Sequence, residues 1–425
     1  MTEAGGVSVA PPRLSPRETV ALALVASSLV RGGGFFAPES AVFAGVLATL
    51  VATAGAARRC AAVAWLVPGL AFVGVWVGLD AAHGSVDRSL GLASGAVAFG
   101  AAFALARASD RTALMTGVLV IAIGVNGFAL VGWFWRNVPD ALVFDERQRL
   151  AGPMAYPNAI GLFAALALVA ALTAPERRGV RSLALFLSTA AVVGSLSRGA
   201  VLVAAIGIAV AWRGVVRPWL APVALGVALG LAGVLTSTSA AHQPLLVVAL
   251  VAGGAASWGL TSWRVPSSFA RAGCVGLALV AVAGGVIAFP HLRTAATGRL
   301  DTASTSDRVA EWRAAWREGN DHVWTGAGPE RDLAIRDFRG LAIARFAHDE
   351  PLQVFAGGGL LALLALLAYA AAFGWTAVRD RGLSQGAKAS ALMFLLGGLI
   401  DFSWHFAAVA AFAGLCAGVA RATPD

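Results

Sequence analysis

The sequence predicts an all-α protein, a polytopic transmembrane helix bundle of about 12–14 spans with a partly helical extracytoplasmic loop. Of the 425 residues, 58% are hydrophobic and only 13% are charged, about half the charged share of a soluble domain. The apolar residues fall in long unbroken runs, and the arginines stand at the borders of those runs. So much apolar surface needs a lipid solvent, and in lipid only helices or closed barrels satisfy the backbone. Runs of about 20 residues choose helices.

Read in order, the spans fall near 17–36, 37–57, 60–79, 88–107, 111–134, 156–175, 180–196 and 199–213. They continue near 217–237, 244–263, 268–289, 351–378, 387–402 and 404–421. With the N-terminus inside, Arg58, Arg59, Arg107, Arg111, Arg177, Arg178, Arg181, Arg213 and Arg217 all occupy cytoplasmic turns. Arg264, Arg271, Arg379, Arg381 and Lys388 follow the same side. Such an excess of basic residues marks the cytoplasmic face, so both termini are expected there, in an inner (plasma) membrane. Arg13 and Arg17 precede an apolar stretch without a small-residue cleavage site, which reads as a retained first span.

Two outer segments are polar, near 135–156 and 290–350. The second divides the chain into an N-terminal transmembrane bundle (1–289), an extracytoplasmic loop (290–350) and C-terminal transmembrane helices (351–425). A long loop between spans is usually functional. Ser306 can cap a helix from Asp307 to Glu318 on which Val309, Trp312 and Trp316 share one face. A second helix is expected from Pro329 to about Phe346.

The net charge of +9 does not point to nucleic acid, because the basic residues punctuate apolar runs instead of gathering on one face. Cys60, Cys274 and Cys416 lie in or beside spans with no metal-ligand spacing. The sequence holds no Walker motif and no paired-aspartate cation motif. No metal and no cofactor is expected.

Four stretches can carry chemistry. In Ser195-Leu196-Ser197-Arg198-Gly199, Arg198 can either snorkel at a helix end or grip phosphate oxygens with its planar fork. Arg308, one turn before Trp312, is either a solvated helix residue or a second phosphate ligand. His348, in Ala347-His348-Asp349-Glu350-Pro351-Leu352-Gln353, is either structural or a base for a sugar hydroxyl. In Tyr156-Pro157-Asn158, Asn158 can cap the helix or bond a ligand. Nearby Asp145, Glu146, Arg147 and Arg149 can reach a glycan, with no positional reason to prefer one.

Together and in this order, Pro157-Asn158, Ser197-Arg198-Gly199, Arg308 with Trp312, and His348 through Gln353 resemble the O-antigen ligase/polymerase superfamily of lipid-linked glycan transferases. The resemblance runs from about 145 to 420, through the Gly357-Gly358-Gly359-Leu360 start of the next span. It implies a membrane glycosyltransferase that moves a glycan from an undecaprenyl diphosphate carrier to a glycan, lipid or wall acceptor on the outer face. It implies that Arg198 and Arg308 bind the diphosphate and that His348 activates the acceptor, with inversion and without a metal. Ser197, Asn158, Tyr156, Trp312 and Gln353 are the further substrate contacts it suggests. Asp349 departs from the family's common Asn, Gly326-Ala327-Gly328-Pro329 runs on into charged Glu330-Arg331, and the N-terminal third matches no motif. Ligase and polymerase share these features. A lipid-linked sugar flippase is the alternative from another class, although internal repeats and polar midplane groups are missing; a membrane sensor lacks an output domain.

Overall fold

The structure is a computed structural model that describes residues 14–35, 37–53, 63–135, 142–144, 149–174, 178–211, 219–236, 242–262, 304–337 and 340–419. The span expected at 268–289, Cys60, Cys274, the segment Asp145 to Arg147 and several basic turns (Arg58, Arg59, Arg177, Arg213, Arg217, Arg264, Arg271) lie outside the described residues. Among the described residues, five α-helices come first: α1 (Pro16–Val30), α2 (Ala37–Thr53), α3 (Val63–Ala82), α4 (Leu90–Ala108) and α5 (Arg111–Trp135). A small hairpin, β1 (Leu142–Phe144) with β2 (Arg149–Gly152), precedes α6 (Pro157–Thr173), α7 (Arg178–Ser195), α8 (Arg198–Ala211), α9 (Leu220–Thr236) and α10 (Pro244–Ser262). Then come α11 (Ser304–Asp321), a second hairpin of β3 (Leu333–Asp337) and β4 (Gly340–Ala344), α12 (Glu350–Arg379), α13 (Gln385–Gly398) and α14 (Ala407–Ala417). Every span expected within the described residues corresponds to a helix. Among the described residues, four stretches are long and apolar enough to cross a membrane, namely Trp65–Ala82, Leu90–Ala108, Arg111–Trp135 and Glu350–Arg379.

The helix starts follow local chemistry. Ser15 and Glu18 form a reciprocal capping box with Pro16 at the first helical position of α1, which satisfies two otherwise orphaned donors. Helices that are apolar all round are buried. The rule holds for α6, buried from Ala159 to Leu172, and for α14, buried along its whole length. Small residues let α14 lie close on α4: a Cβ on Gly414 would fall 2.3 Å from the Phe99 carbonyl oxygen. Close approach through small residues is the usual route to helix packing in lipid.

One element of the long loop is not as the sequence predicts. The helix expected from Pro329 is instead the antiparallel hairpin β3–β4, with Leu333 paired to Ala344 and Ile335 to Ala342. Leu333 and Ile335 are buried while Ala334 between them is exposed, the period-two pattern of a half-buried strand. The first loop helix starts at Ser304 instead of Asp307, so Ser306 lies within α11.

Glycines tie this loop to the bundle. Gly359 has φ 60° and ψ −159°, which breaks α12 into two helical pieces in a region that essentially only glycine enters. Across the break, Ala327 and Gly328 donate to the carbonyls of Ala356 and Gly357 at 2.9 Å, and Leu360 donates to that of Val323 at 2.7 Å. A Cβ on Gly326 would fall 2.2 Å from the Gly357 backbone. Backbone lies directly on backbone here.

Candidate active site

Where the N-termini of α6 and α8 meet the C-terminal end of α13, the bundle opens a cleft of about 120 Å³. Its wall includes Arg149, Tyr156, Asn158, Ser197, Arg198, Arg308 and Asp401. Five of the eight residues singled out from the sequence therefore converge, although they span positions 156 to 308 of the chain.

The Ser-Arg-Gly turn has a physical role for each residue. Ser197 Oγ accepts from the Ala200 N–H at 3.2 Å, so it caps α8 as well as lining the cleft. Leu196 before it takes φ 49° to turn the chain sharply. Arg198 follows at the first position of α8, exposed at the cleft edge. Gly199 admits the neighbouring segment, since a Cβ there would meet Ile400 Cδ1 at 2.7 Å. Helix N-termini carry partial positive charge and unsatisfied N–H groups, a ready anion site.

The cleft is cationic with one acidic centre. Arg308 Nη1 donates to the Ile400 carbonyl at 3.0 Å, and its Nη2 lies 3.8 Å from Asp401 Oδ2. Asp401 also accepts from the Tyr156 hydroxyl at 2.8 Å and from the Asn158 side-chain amide. Arg149 donates to Asn158 Oδ1 at 2.8 Å and to the Ser195 carbonyl at 2.9 Å. Among the described residues, three guanidinium groups and one carboxylate line the cleft, and paired guanidinium donors suit a diphosphate.

His348 stands behind this wall, outside the residues that line the cleft. Its ring meets Phe402 edge-on with centroids 5.0 Å apart, and Phe402 stacks on Tyr156 at 4.9 Å. Its Nδ1 lies 2.9 Å from Glu311 Oε2. The backbone at His348 has φ 51°, which is uncommon outside glycine and is held from both sides. Gln353 Oε1 accepts from the Ala347 N–H at 2.8 Å, and Asp349 Oδ1 accepts from the Leu352 N–H at 2.9 Å. Gln353 therefore braces the turn of His348. Asp349 caps α12. Burial raises the Asp349 carboxyl above the usual range, opposed by that Leu352 hydrogen bond.

Trp312 is not at the cleft. It lies on an open face of α11 with Val309, Arg313 and Trp316. Asp401, Arg149 and Glu311 are the participants that the sequence reading did not single out. Asp401 was counted within a span, whereas residues 399–406 form a break of turn and 3-10 helix between α13 and α14. A carboxylate between two apolar runs is itself a functional signal.

Beside the cleft sits a buried charged cluster. His405 Nδ1 lies 3.2 Å from Glu350 Oε1, and its Nε2 lies 3.1 Å from Glu330 Oε1 in an ion-pair contact not aligned as a hydrogen bond. Glu330 also meets Arg345 at 3.4 Å, and Glu350 accepts from the Trp404 N–H at 2.9 Å. The cluster joins the hairpin segment, α12 and the break before α14. Among the described residues, no three His, Cys, Asp or Glu side chains are grouped to hold a metal ion.

The family model for O-antigen ligase matches residues 226–367, a third of the chain. The matched segment contains Arg308, Glu311, His348 and Gln353, while Arg149, Tyr156, Asn158, Arg198 and Asp401 join them through folding. No curated protein matches the chain.

Proposed function

Starting from that similarity to the O-antigen ligase/polymerase superfamily, we propose that this membrane protein transfers a glycan from a polyprenyl diphosphate, of the undecaprenyl type, to an acceptor hydroxyl at the outer membrane face. The supporting observation is the convergence of Arg198 and Arg308 on one cleft with Tyr156, Asn158 and Ser197. Guanidinium groups and two helix N-termini offer a diphosphate the charge that a metal ion supplies in other sugar transferases. The departing diphosphate gains charge as the sugar–oxygen bond breaks, so donors fixed in advance favour the transition state over the ground state.

The reaction we assign is a single displacement. The acceptor oxygen attacks the anomeric carbon, the bond from that carbon to the diphosphate breaks, and configuration inverts. His348 takes the acceptor proton, and the lipid diphosphate leaves as the anion held by Arg198 and Arg308. Asp401 keeps Arg308, Tyr156 and Asn158 in register and limits the resting charge of the cleft.

The test is a transfer assay with purified protein and an undecaprenyl diphosphate disaccharide as donor. It is run with a core-oligosaccharide lipid or a second donor molecule as acceptor. Release of undecaprenyl diphosphate with product on the core lipid identifies a ligase; chain extension identifies a polymerase. His348→Ala should lower either rate by about 100-fold or more while donor binding persists. Donor that binds to wild-type protein but crosses the bilayer without bond cleavage would replace the transferase reading with a flippase.

A further inference from the structure

We propose that Glu311 is the positioning residue for His348, and that α11 thereby couples the diphosphate grip to the base. The inference rests on the transfer reaction proposed above and names a residue that the reaction did not use. Glu311 Oε2 lies 2.9 Å from His348 Nδ1, and the Glu311 side chain is only 12% exposed. A carboxylate accepts and does not donate, so the proton of a neutral imidazole sits on Nδ1. That leaves the lone pair on Nε2 to receive a proton. A base oriented by a third group is the general arrangement by which a hydroxyl is activated.

The backbone argument is independent of the ring argument. At φ 51°, His348 is held by the Gln353 and Asp349 hydrogen bonds on either side, which fix where the side chain begins. They do not fix how the imidazole rotates about its own bonds. Phe402 closes one side of the ring edge-on, and Glu311 supplies the polar contact that selects one rotamer and one tautomer. Glu311 is thus the group that turns a fixed Cα into a fixed Nε2.

Arg308 and Glu311 are three residues apart on α11, so their side chains leave the same face about one turn apart. Arg308 reaches Ile400 and Asp401, and Glu311 reaches His348. One rigid helix therefore sets the distance between the leaving group and the base. The proton step balances without a further reactant: the acceptor O–H bond breaks, Nε2–H forms, and the positive imidazolium faces the Glu311 carboxylate.

The experiment compares wild type with Glu311→Gln, using the undecaprenyl diphosphate disaccharide as donor. Selective ¹⁵N-histidine NMR on both proteins in nanodiscs reads the His348 nitrogens directly. We expect kcat to fall about 100-fold with the donor KM within about twofold, because Arg198 and Arg308 are untouched. The wild-type spectrum should show His348 protonated at Nδ1, and the amide, which can donate, should shift population towards Nε2–H. An unchanged kcat, a parallel loss of donor affinity and turnover, or a wild-type ring unprotonated at Nδ1 overturns the assignment. A wild type without turnover overturns the transfer reaction instead, and is told apart because the nitrogen shifts decide the pairing in either case.

Discussion

At the scale of single residues, the cleft depends on guanidinium geometry and not on charge alone. Arg198 and Arg308 approach it from different helices, and Arg308 lies 3.8 Å from the Asp401 carboxylate in the wall. Arg198→Ala and Arg308→Ala should each reduce glycan transfer by about 100-fold or more while the protein stays folded in the membrane. Arg198→Lys should recover little of that loss, because an ammonium lacks the paired planar donors that match phosphate oxygens. Initial rates of undecaprenyl diphosphate release measure all three, and full activity in either alanine variant removes that arginine from the proposed role. The arginines were legible in the sequence because charge beside an apolar run is expensive and stands out. Asp401 and Glu311 were not. Asp401 sits where two apolar runs abut, so it read as part of a span, and Glu311 sits in a helix rich in charge, where nothing local separates one carboxylate from its neighbours. Their roles exist only once α13 and the turn at His348 lie beside α11.

At the scale of elements, hydrophobic runs identified the spans because helices in lipid have few alternatives. The β3–β4 hairpin escaped because its buried residues, Leu333 and Ile335, form too short a pattern to compete with a charged, helix-tolerant stretch. The Gly357-Gly358-Gly359 run was visible, whereas its purpose became clear only from the loop that docks on it. Gly359→Ala should lower stability by about 1–3 kcal/mol for the backbone strain alone. It should do more in fact, since the new Cβ would sit 2.4 Å from the Trp324 carbonyl carbon. Gly374→Ala in the same helix is the control, because its Cβ would meet nothing nearer than Leu395 Cδ1 at 3.7 Å. Thermal unfolding in detergent should show a lower midpoint for Gly359→Ala and little change for Gly374→Ala. Equal midpoints would mean that the loop does not depend on the break in α12.

At the scale of the whole molecule, contacts between helix ends show which turns share one end of the bundle. Arg107, at the C-terminal end of α4, pairs with Asp380 at 2.9 Å in the turn between α12 and α13, two turns that the charge pattern assigns to the same cytoplasmic face. At the other end, Gln243 before α10 donates to the Phe134 carbonyl of α5 at 2.9 Å, joining two ends assigned outside. The cleft, His348 and the Glu330–His405–Glu350 cluster all belong to that second end. A lipid diphosphate whose tail stays in the bilayer can reach the arginines only if this end faces the leaflet that carries the donor. The prediction is therefore directional. In a cysteine-free background, Thr325→Cys, at an exposed position in the docking loop, should react with a membrane-impermeant maleimide added to intact cells. Arg381→Cys, exposed in the turn beside Asp380, should react only after the membrane is opened. Labelling of position 381 from outside, with position 325 protected, would invert the topology, place the arginine cleft on the face where lipid-linked precursors are assembled, and require a cytoplasmic acceptor for the same chemistry.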